Sequence, residues 1–250
     1  MPRGPLPAWA RVRAVLLDVD DTLIDTRAAM HQAGTVASGV VWPAADRSRI
    51  ALAGERFRSD PDGFFGAYTR GESTFDAMRR ARIGALATWL GQELGEGHAG
   101  AWLAAYEPAF EAALRAHTDA EVALTRLAAH GIPVGFLTNS GADYTARKLA
   151  LTGLGGPVDV ICTRDTLGFG KPDARAFHEA CRRLGAAPAE TLYVGDELLS
   201  DALGAADADM PAGWLVRDGA PDPGEADVVA GRGIPVLANL IQVADGLGCP

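Results

Sequence analysis

Three observations predict an α/β fold built on a largely parallel sheet, with a helical segment inserted after the first strand. Short runs rich in valine and leucine alternate with helix-period segments over the second half of the chain. Four of these runs end in polar residues, which an open parallel sheet would collect at its carboxyl edge. The stretch from residue 25 to about 115 lacks the alternation and reads as helices alone.

The first strand is read at residues 12–19, with Asp18 and Asp20 at its C-terminal end. A second at 132–137 ends at Thr138 and Asn139, and a third lies around 158–162. The fourth, 191–194, ends at Gly195 and Asp196, while Leu215 and Val216 begin a fifth. Helical patterns at 119–130, 143–151 and 173–184 connect them. The insertion holds helical patterns at 27–41, 73–90 and 98–115, turn-rich sequence at 59–63 and 94–97, and Pro43 and Pro61 as interruptions. The Gly- and Asp-rich stretch 218–227 reads as loop, with the last few residues loosely held. The chain is thus divided into a core of 1–25 with 116–250 and a helical insert of 26–115.

Composition narrows the function classes. The 250 residues carry 23 Lys and Arg against 32 Asp and Glu, a net charge of -9, and 48% are hydrophobic. That length and apolar fraction support a folded core and argue against disorder. The acid excess argues against a general nucleic-acid binder. Three cysteines at 162, 181 and 249 cannot all pair within one chain and form no CxxC. Neither a disulfide scaffold nor a zinc finger is expected, and reduced cysteines suit a cytoplasmic location. Near the N-terminus the continuous apolar run from Ala14 to Leu17 is too short for a signal-peptide core or membrane span, so no targeting or membrane segment is expected.

The chemistry-bearing residues sit at the strand ends. In Asp18-Val19-Asp20-Asp21-Thr22-Leu23, a carboxylate at a strand end can be exposed as a nucleophile while another two residues on turns toward the same site. Acidic turns and helix starts use the same residues. Asp196 and Asp201 add oxygen ligands that with Asp18 suit Mg2+. Thr138-Asn139-Ser140-Gly141 offers a hydroxyl and amides to phosphate oxygens, and equally an N-cap and turn. Lys171, in Gly170-Lys171-Pro172-Asp173, could neutralise a nucleophile and a phosphate ahead of a helix that Pro172 can start. Neither a P-loop nor a dinucleotide fingerprint is present. The five histidines form no metal motif, and Cys162 reads as a buried strand residue.

These ordered motifs resemble the haloacid-dehalogenase (HAD) superfamily of hydrolases, in particular phosphatases with a helical C1-type cap between the first two core strands. Asp18 to Thr22 match the first motif, Thr138 the second, Lys171 the third, and Gly195-Asp196 through Asp201 the fourth. The resemblance implies a Rossmann-like core and Mg2+-dependent hydrolysis of a small phosphorylated metabolite through an aspartyl-phosphate. It implies Asp18 as nucleophile, Asp20 as general acid and base, and Thr138, Asn139 and Lys171 as phosphate-binding residues. The metal ligands would be Asp18 and Asp196 by their side chains and Asp20 by its carbonyl, with Asp201 as a supporting acidic position. A phosphosugar mutase, a 2-haloacid dehalogenase and a noncatalytic phosphate-ligand module are the alternatives. Asp20 with Asp196 favours phosphoryl transfer, because dehalogenases of the family generally lack this acid/base aspartate. The sequence departs from the family at Asp21 and near Asp209, where glycine is common. A cap that opens and closes would admit substrate, with Arg79, Arg80 or Arg82 and Phe57, Phe64, Phe65 and Tyr68 as candidate pocket residues. A homo-oligomer is compatible with the sequence.

Overall fold

The computed structural model describes residues 9–156 and 158–249. Residues 1–8, on which the reading of the extreme N-terminus rests, 157 and 250 lie outside them; the last few residues, expected to be loosely held, are anchored up to Cys249, which is buried and whose carbonyl accepts from Arg126. In chain order the elements are β1 (Ala14–Leu17), α1 (Thr26–Val41), α2 (Arg47–Ser59), α3 (Phe64–Thr69), α4 (Phe75–Trp89) and α5 (His98–Ala113). There follow α6 (Thr118–Ala129), β2 (Val134–Thr138), α7 (Ala142–Thr152), β3 (Val160–Thr163), α8 (Arg164–Leu167), α9 (Ala174–Leu184) and β4 (Thr191–Gly195). A π-helical turn (Leu198–Leu203) leads into α10 (Gly204–Asp207), β5 (Ala212–Leu215), α11 (Pro223–Gly231), β6 (Val236–Leu237) and α12 (Ile241–Gly246).

The chain divides into two compact units, one formed by the segments up to Ile24 and from Ala116, the other by Asp25–Arg115. In the first, six parallel strands lie in the order β3-β2-β1-β4-β5-β6. Every residue of β1, β2, β4 and β5 is buried. This explains their continuous apolar character, since strands covered on both faces need no alternation. Leu17 is level with Phe136 on one side and Val194 on the other. The register therefore places the residues after β1, β2 and β4 side by side. One face packs Leu16, Leu137, Phe177, Tyr193, Ala205 and Trp214 into a common core.

In the sheet unit, β5 and the segment around α11 differ from the sequence reading. β5 ends at Leu215 rather than beginning there, because Ala212 and Gly213 supply its first half against Tyr193 and Val194. The supposed loop at 218–227 contains the start of α11, where Asp222 accepts the Gly224 amide at 2.8 Å and Pro223 occupies the first turn. That is a helix-start signal masked by low apolar content.

The helical unit is organised around a backbone-to-backbone crossing. A Cβ on Gly54 of α2 would fall 1.8 Å from the His31 carbonyl oxygen of α1, and one on Gly34 would fall 2.9 Å from Gly54 Cα. The α2 helix was absent from the sequence reading because it buries only Ala53, Gly54 and Phe57. Its start is fixed by Asp46, which accepts the amides of Ser48 and Arg49. Phe57 packs on Trp102 and Tyr106 with ring centroids 4.5 and 5.5 Å apart, and Trp102 donates to Ser38 Oγ at 3.2 Å. Such aromatic pairs add about 0.5–1.5 kcal/mol beyond the area they bury. Pro43 and Pro61 follow the ends of α1 and α2, as helix interruption requires. Among the described residues no helix is long and apolar enough to cross a membrane.

Gly54→Ala is expected to lower stability by about 1–3 kcal/mol, the range for overpacking a tight contact. Gly100→Ala, in a helix with open space at the Cβ position, should be neutral or stabilising by up to about 1 kcal/mol. Urea denaturation of the two variants checks the contrast.

Candidate functional site

The carboxyl edge of β1, β2 and β4 gathers two groups of charged side chains. The first is centred on Lys171, whose ammonium is buried and donates to Asp18 Oδ1 at 2.6 Å, Asp201 Oδ1 at 2.5 Å and the Tyr193 hydroxyl at 2.7 Å. All three ammonium hydrogens are thus engaged. Asp18 follows β1, and its amide donates to Val194 O at 2.9 Å, tying the first strand end to β4. The loop carrying Lys171 is held by Asn139, whose side-chain oxygen accepts the Lys171 amide at 2.7 Å and whose amide donates to Lys171 O at 2.9 Å. Pro172, joined to Lys171 by a cis peptide, stands ahead of α9 rather than in its first turn; Asp173 caps that helix.

Asp201 rises from the π-helical turn. Its Oδ1 accepts from Lys171 and lies 3.1 Å from the Tyr193 hydroxyl, while Oδ2 accepts the Glu197 amide at 3.0 Å. Its close approach requires glycine at 195, because a Cβ there would sit 2.3 Å from Asp201 Oδ2. Asp196 lies at the end of β4, with Thr22 Oγ1 3.5 Å from its Oδ1 and Trp214 donating to its carbonyl at 2.9 Å. Oxygen atoms of Asp18, Asp196 and Asp201 all fall within 4.8 Å of one another.

Burial pushes the Asp18 carboxyl up to about 7; Lys171 opposes the shift, and Asp201 and Asp20 reinforce it. Burial also pushes Asp196 up to about 9, with repulsion from Asp18 and Asp201 next in size. Lys171 is held above its ordinary value because its two carboxylate partners outweigh desolvation. Fully ionised, three clustered carboxyls around one ammonium would leave an excess of negative charge that a divalent cation with oxygen preference would balance. The donor set therefore fits Mg2+.

The second group lies on the other side of Asp18. Asp20 is 34% exposed at its side chain and forms an ion pair through Oδ1 with Lys148, a buried lysine of α7. Lys148 also donates to Ser140 Oγ at 3.3 Å. Thr138 Oγ1 lies 3.5 Å from Asp20 Oδ2 and accepts the Ser140 amide at 3.1 Å. Thus Thr138 serves a turn and does not cap α7, whose N-cap is Gly141.

Asp18, Asp20, Thr138, Asn139, Lys171, Asp196 and Asp201 therefore meet at one sheet edge. Asp20 places its side chain with Thr138 and Lys148, outside the three-carboxylate cluster. Two of the three arginines of α4 are otherwise engaged. Arg79 pairs with Glu107, and Arg82 is buried 4.3 Å over the Phe57 ring, where it donates to the Phe57 carbonyl; Arg80 is exposed. Cys162 is buried in β3, and His178 contacts the Ala208 carbonyl at 3.1 Å. Asp21 and Asp209, the two departures from glycine, both have left-handed backbone, with φ 57 and 59. Aspartate tolerates that conformation better than most residues.

Lys148, Tyr193 and Arg217 were missing from the sequence reading. Arg217 donates to the carbonyls of Asp21 at 3.2 Å and Thr22 at 2.5 Å while bound to Asp119 at 3.0 Å, so it holds the loop after Asp20. Lys148 shares the buried face of α7 with Thr145 and Leu149, and this i, i+3, i+4 spacing was its available signal.

Residues 12–209 match the haloacid dehalogenase-like hydrolase family. The chain is 32% identical over 237 residues to a phosphoserine phosphatase of Thermus thermophilus, covering 86% of this chain and 93% of the relative. Two solved structures share the fold. A HAD-hydrolase of Bacillus subtilis bound to magnesium has a TM-score of 0.72 and 21% identity, over 95% of this chain and 99% of that one. A defluorinating L-2-haloacid dehalogenase has a TM-score of 0.74 and 19% identity, over 99% of both.

Because Asp18 and Asp196 hold protons in the folded state that the unfolded chain releases above about pH 4, raising pH should destabilise the metal-free protein. The loss runs from the unfolded carboxylate range up through the folded values of about 7 and 9. In EDTA, thermal melts should fall from pH 5 to pH 9, and Asp196→Asn should flatten that slope. A wild-type slope unaffected by Asp196→Asn would contradict the assignment.

Proposed function

The chain belongs to the haloacid dehalogenase-like hydrolases, and from that premise we propose that it hydrolyses a small-molecule phosphate monoester with Mg2+ through an aspartyl-phosphate on Asp18. The observation that carries this reading is the separation of two carboxylates only two positions apart. Asp18 is buried on Lys171 beside Asp196 and Asp201, whereas Asp20 is partly exposed beside Thr138. The first environment suits a nucleophile that must meet an anionic phosphate, and the second suits a proton carrier.

In the first half-reaction an Asp18 carboxylate oxygen attacks phosphorus, the phosphorus–oxygen bond to the substrate breaks, and the Asp20 proton passes to the departing alkoxide. An alcohol leaves and Asp18 carries the phosphoryl group. In the second, Asp20 takes a proton from water as that water attacks phosphorus, and the bond to Asp18 breaks. Inorganic phosphate is released, Asp18 is again a carboxylate and Asp20 again holds its proton. Thr138 and the neighbouring amides would hold the phosphoryl oxygens, and Lys171 would offset charge between nucleophile and phosphate. Asn139 fixes the Lys171 loop.

Asp18 and Asp196 would hold Mg2+ by their side chains and Asp20 by its carbonyl. The ion would supply positive charge against which nucleophile and phosphate approach. We assign Asp201 to holding Lys171, because both its oxygens already accept protein hydrogen bonds. The sheet unit is assigned as catalytic core and residues 26–115 as a helical cap of C1 type. The phosphoserine phosphatase relative makes phosphoserine the first substrate to test.

Phosphate release from p-nitrophenyl phosphate and a panel of metabolite phosphates, including phosphoserine, is expected to require Mg2+ and to stop in EDTA. Asp18→Asn should lower turnover by at least about 1,000-fold, as loss of a covalent nucleophile does. Turnover unchanged by that substitution would sink Asp18 as nucleophile.

A further inference from the structure

Resting on the phosphatase reading, we propose that Lys148 is a positioning residue that fixes Asp20 for proton transfer to the leaving group. Lys171 has no hydrogen to spare for this task, since Asp18, Asp201 and Tyr193 engage all three. Two carboxylates of one loop are therefore held by two different lysines. Lys171 comes from the loop before α9 and Lys148 from α7.

The pair compensates the buried charge of Lys148 and also restrains Asp20. Asp20 is 34% exposed at its side chain and could be solvated by water, whereas Lys148 is only 3% exposed. The buried partner is thus the lysine; Asp20 gains a fixed direction for Oδ1, and Lys148 gains a counter-charge. Its second bond, to Ser140 Oγ, ties the same ammonium to the turn that positions Thr138. The Tyr144 ring lies 5.4 Å from Nζ and closes another side. With Oδ1 anchored, Oδ2 is the oxygen on the Thr138 side, 3.5 Å from its hydroxyl.

Oδ2 therefore carries the transferred proton. As the phosphorus–oxygen bond breaks, that proton moves from Oδ2 to the bridging oxygen, and in the second half-reaction a water proton returns to Oδ2. Lys148 neither gains nor loses a proton; it limits the orientations Asp20 samples, which is the entropic part of general acid catalysis. Lys148 differs from a phosphate ligand in a measurable way. Removing it should matter in proportion to how much the leaving group needs protonation.

The test compares kcat/KM, which reports the steps through departure of the leaving group, on p-nitrophenyl phosphate and on an alkyl phosphate hydrolysed by the wild type. For Lys148→Met we expect a loss of about 100-fold on the alkyl phosphate and about tenfold or less on p-nitrophenyl phosphate. Inhibition by inorganic phosphate should stay within about twofold, and Lys148→Arg should recover at least about tenfold of the alkyl-phosphate loss. Equal losses on both substrates, or weakened phosphate inhibition, would overturn the proposal. Should Lys148→Met lose its cooperative melt, Lys148→Gln carries the same comparison. Wild type inert toward both substrates would instead remove the phosphatase reading and this role with it, whereas Asp20→Asn intact on the alkyl phosphate would remove Asp20 as proton carrier and this role alone.

Discussion

A single buried ammonium, that of Lys171, reconciles the close packing of acidic groups at the carboxyl edge of the sheet. It joins Asp18 at the end of β1 to Asp201 in the π-helical turn and to Tyr193 within β4. Removing a buried charge from such a pair leaves its partners uncompensated, which typically costs about 3–5 kcal/mol. Its placement draws in other choices. Asn139 brackets the Lys171 backbone, glycine stands at 195 where Asp201 approaches, and Tyr193 passes a hydrogen-bond link to the Leu137 carbonyl.

The same cluster explains why a cation belongs beside it. One ammonium cannot neutralise three carboxyls, and burial, reinforced by Asp18 and Asp201, keeps the Asp196 proton bound well above the ordinary carboxylate range. A short step along the chain, Asp20 turns its side chain toward Thr138 and Lys148. The left-handed backbone of Asp21 turns the loop after Asp20, and Arg217 clamps that turn through two carbonyls. Asp18 and Asp20 are thereby held in neighbouring places by different lysines.

Much of this was legible in the sequence because polar residues that close apolar strands are conspicuous. Asp18, Thr138 and Asp196 each end a buried strand, and the parallel sheet follows from the helices between the strands, whereas the order of the strands does not. Lys171 was legible only with the other motifs, since a lysine in a loop is ordinarily solvated. Lys148 and Tyr193 were hidden by positions that resemble core: one shares a helix face with Leu149, the other is an aromatic residue inside a strand. Their polar atoms acquire meaning only from partners 128 and 22 positions away. The α2 helix was hidden for the opposite reason. Its contact with α1 is made by glycines, so four arginines dominate its composition while no apolar stripe announces it.

The covalent claim is tested most directly by trapping. Asp20→Asn protein turning over p-nitrophenyl phosphate with Mg2+ would be quenched with borohydride, which reduces an acyl phosphate to the alcohol, and its peptides weighed. The account predicts that residue 18 alone becomes homoserine, and only when substrate is present. Reduction at any other carboxylate, or none at residue 18 while nitrophenol is still released, would contradict it.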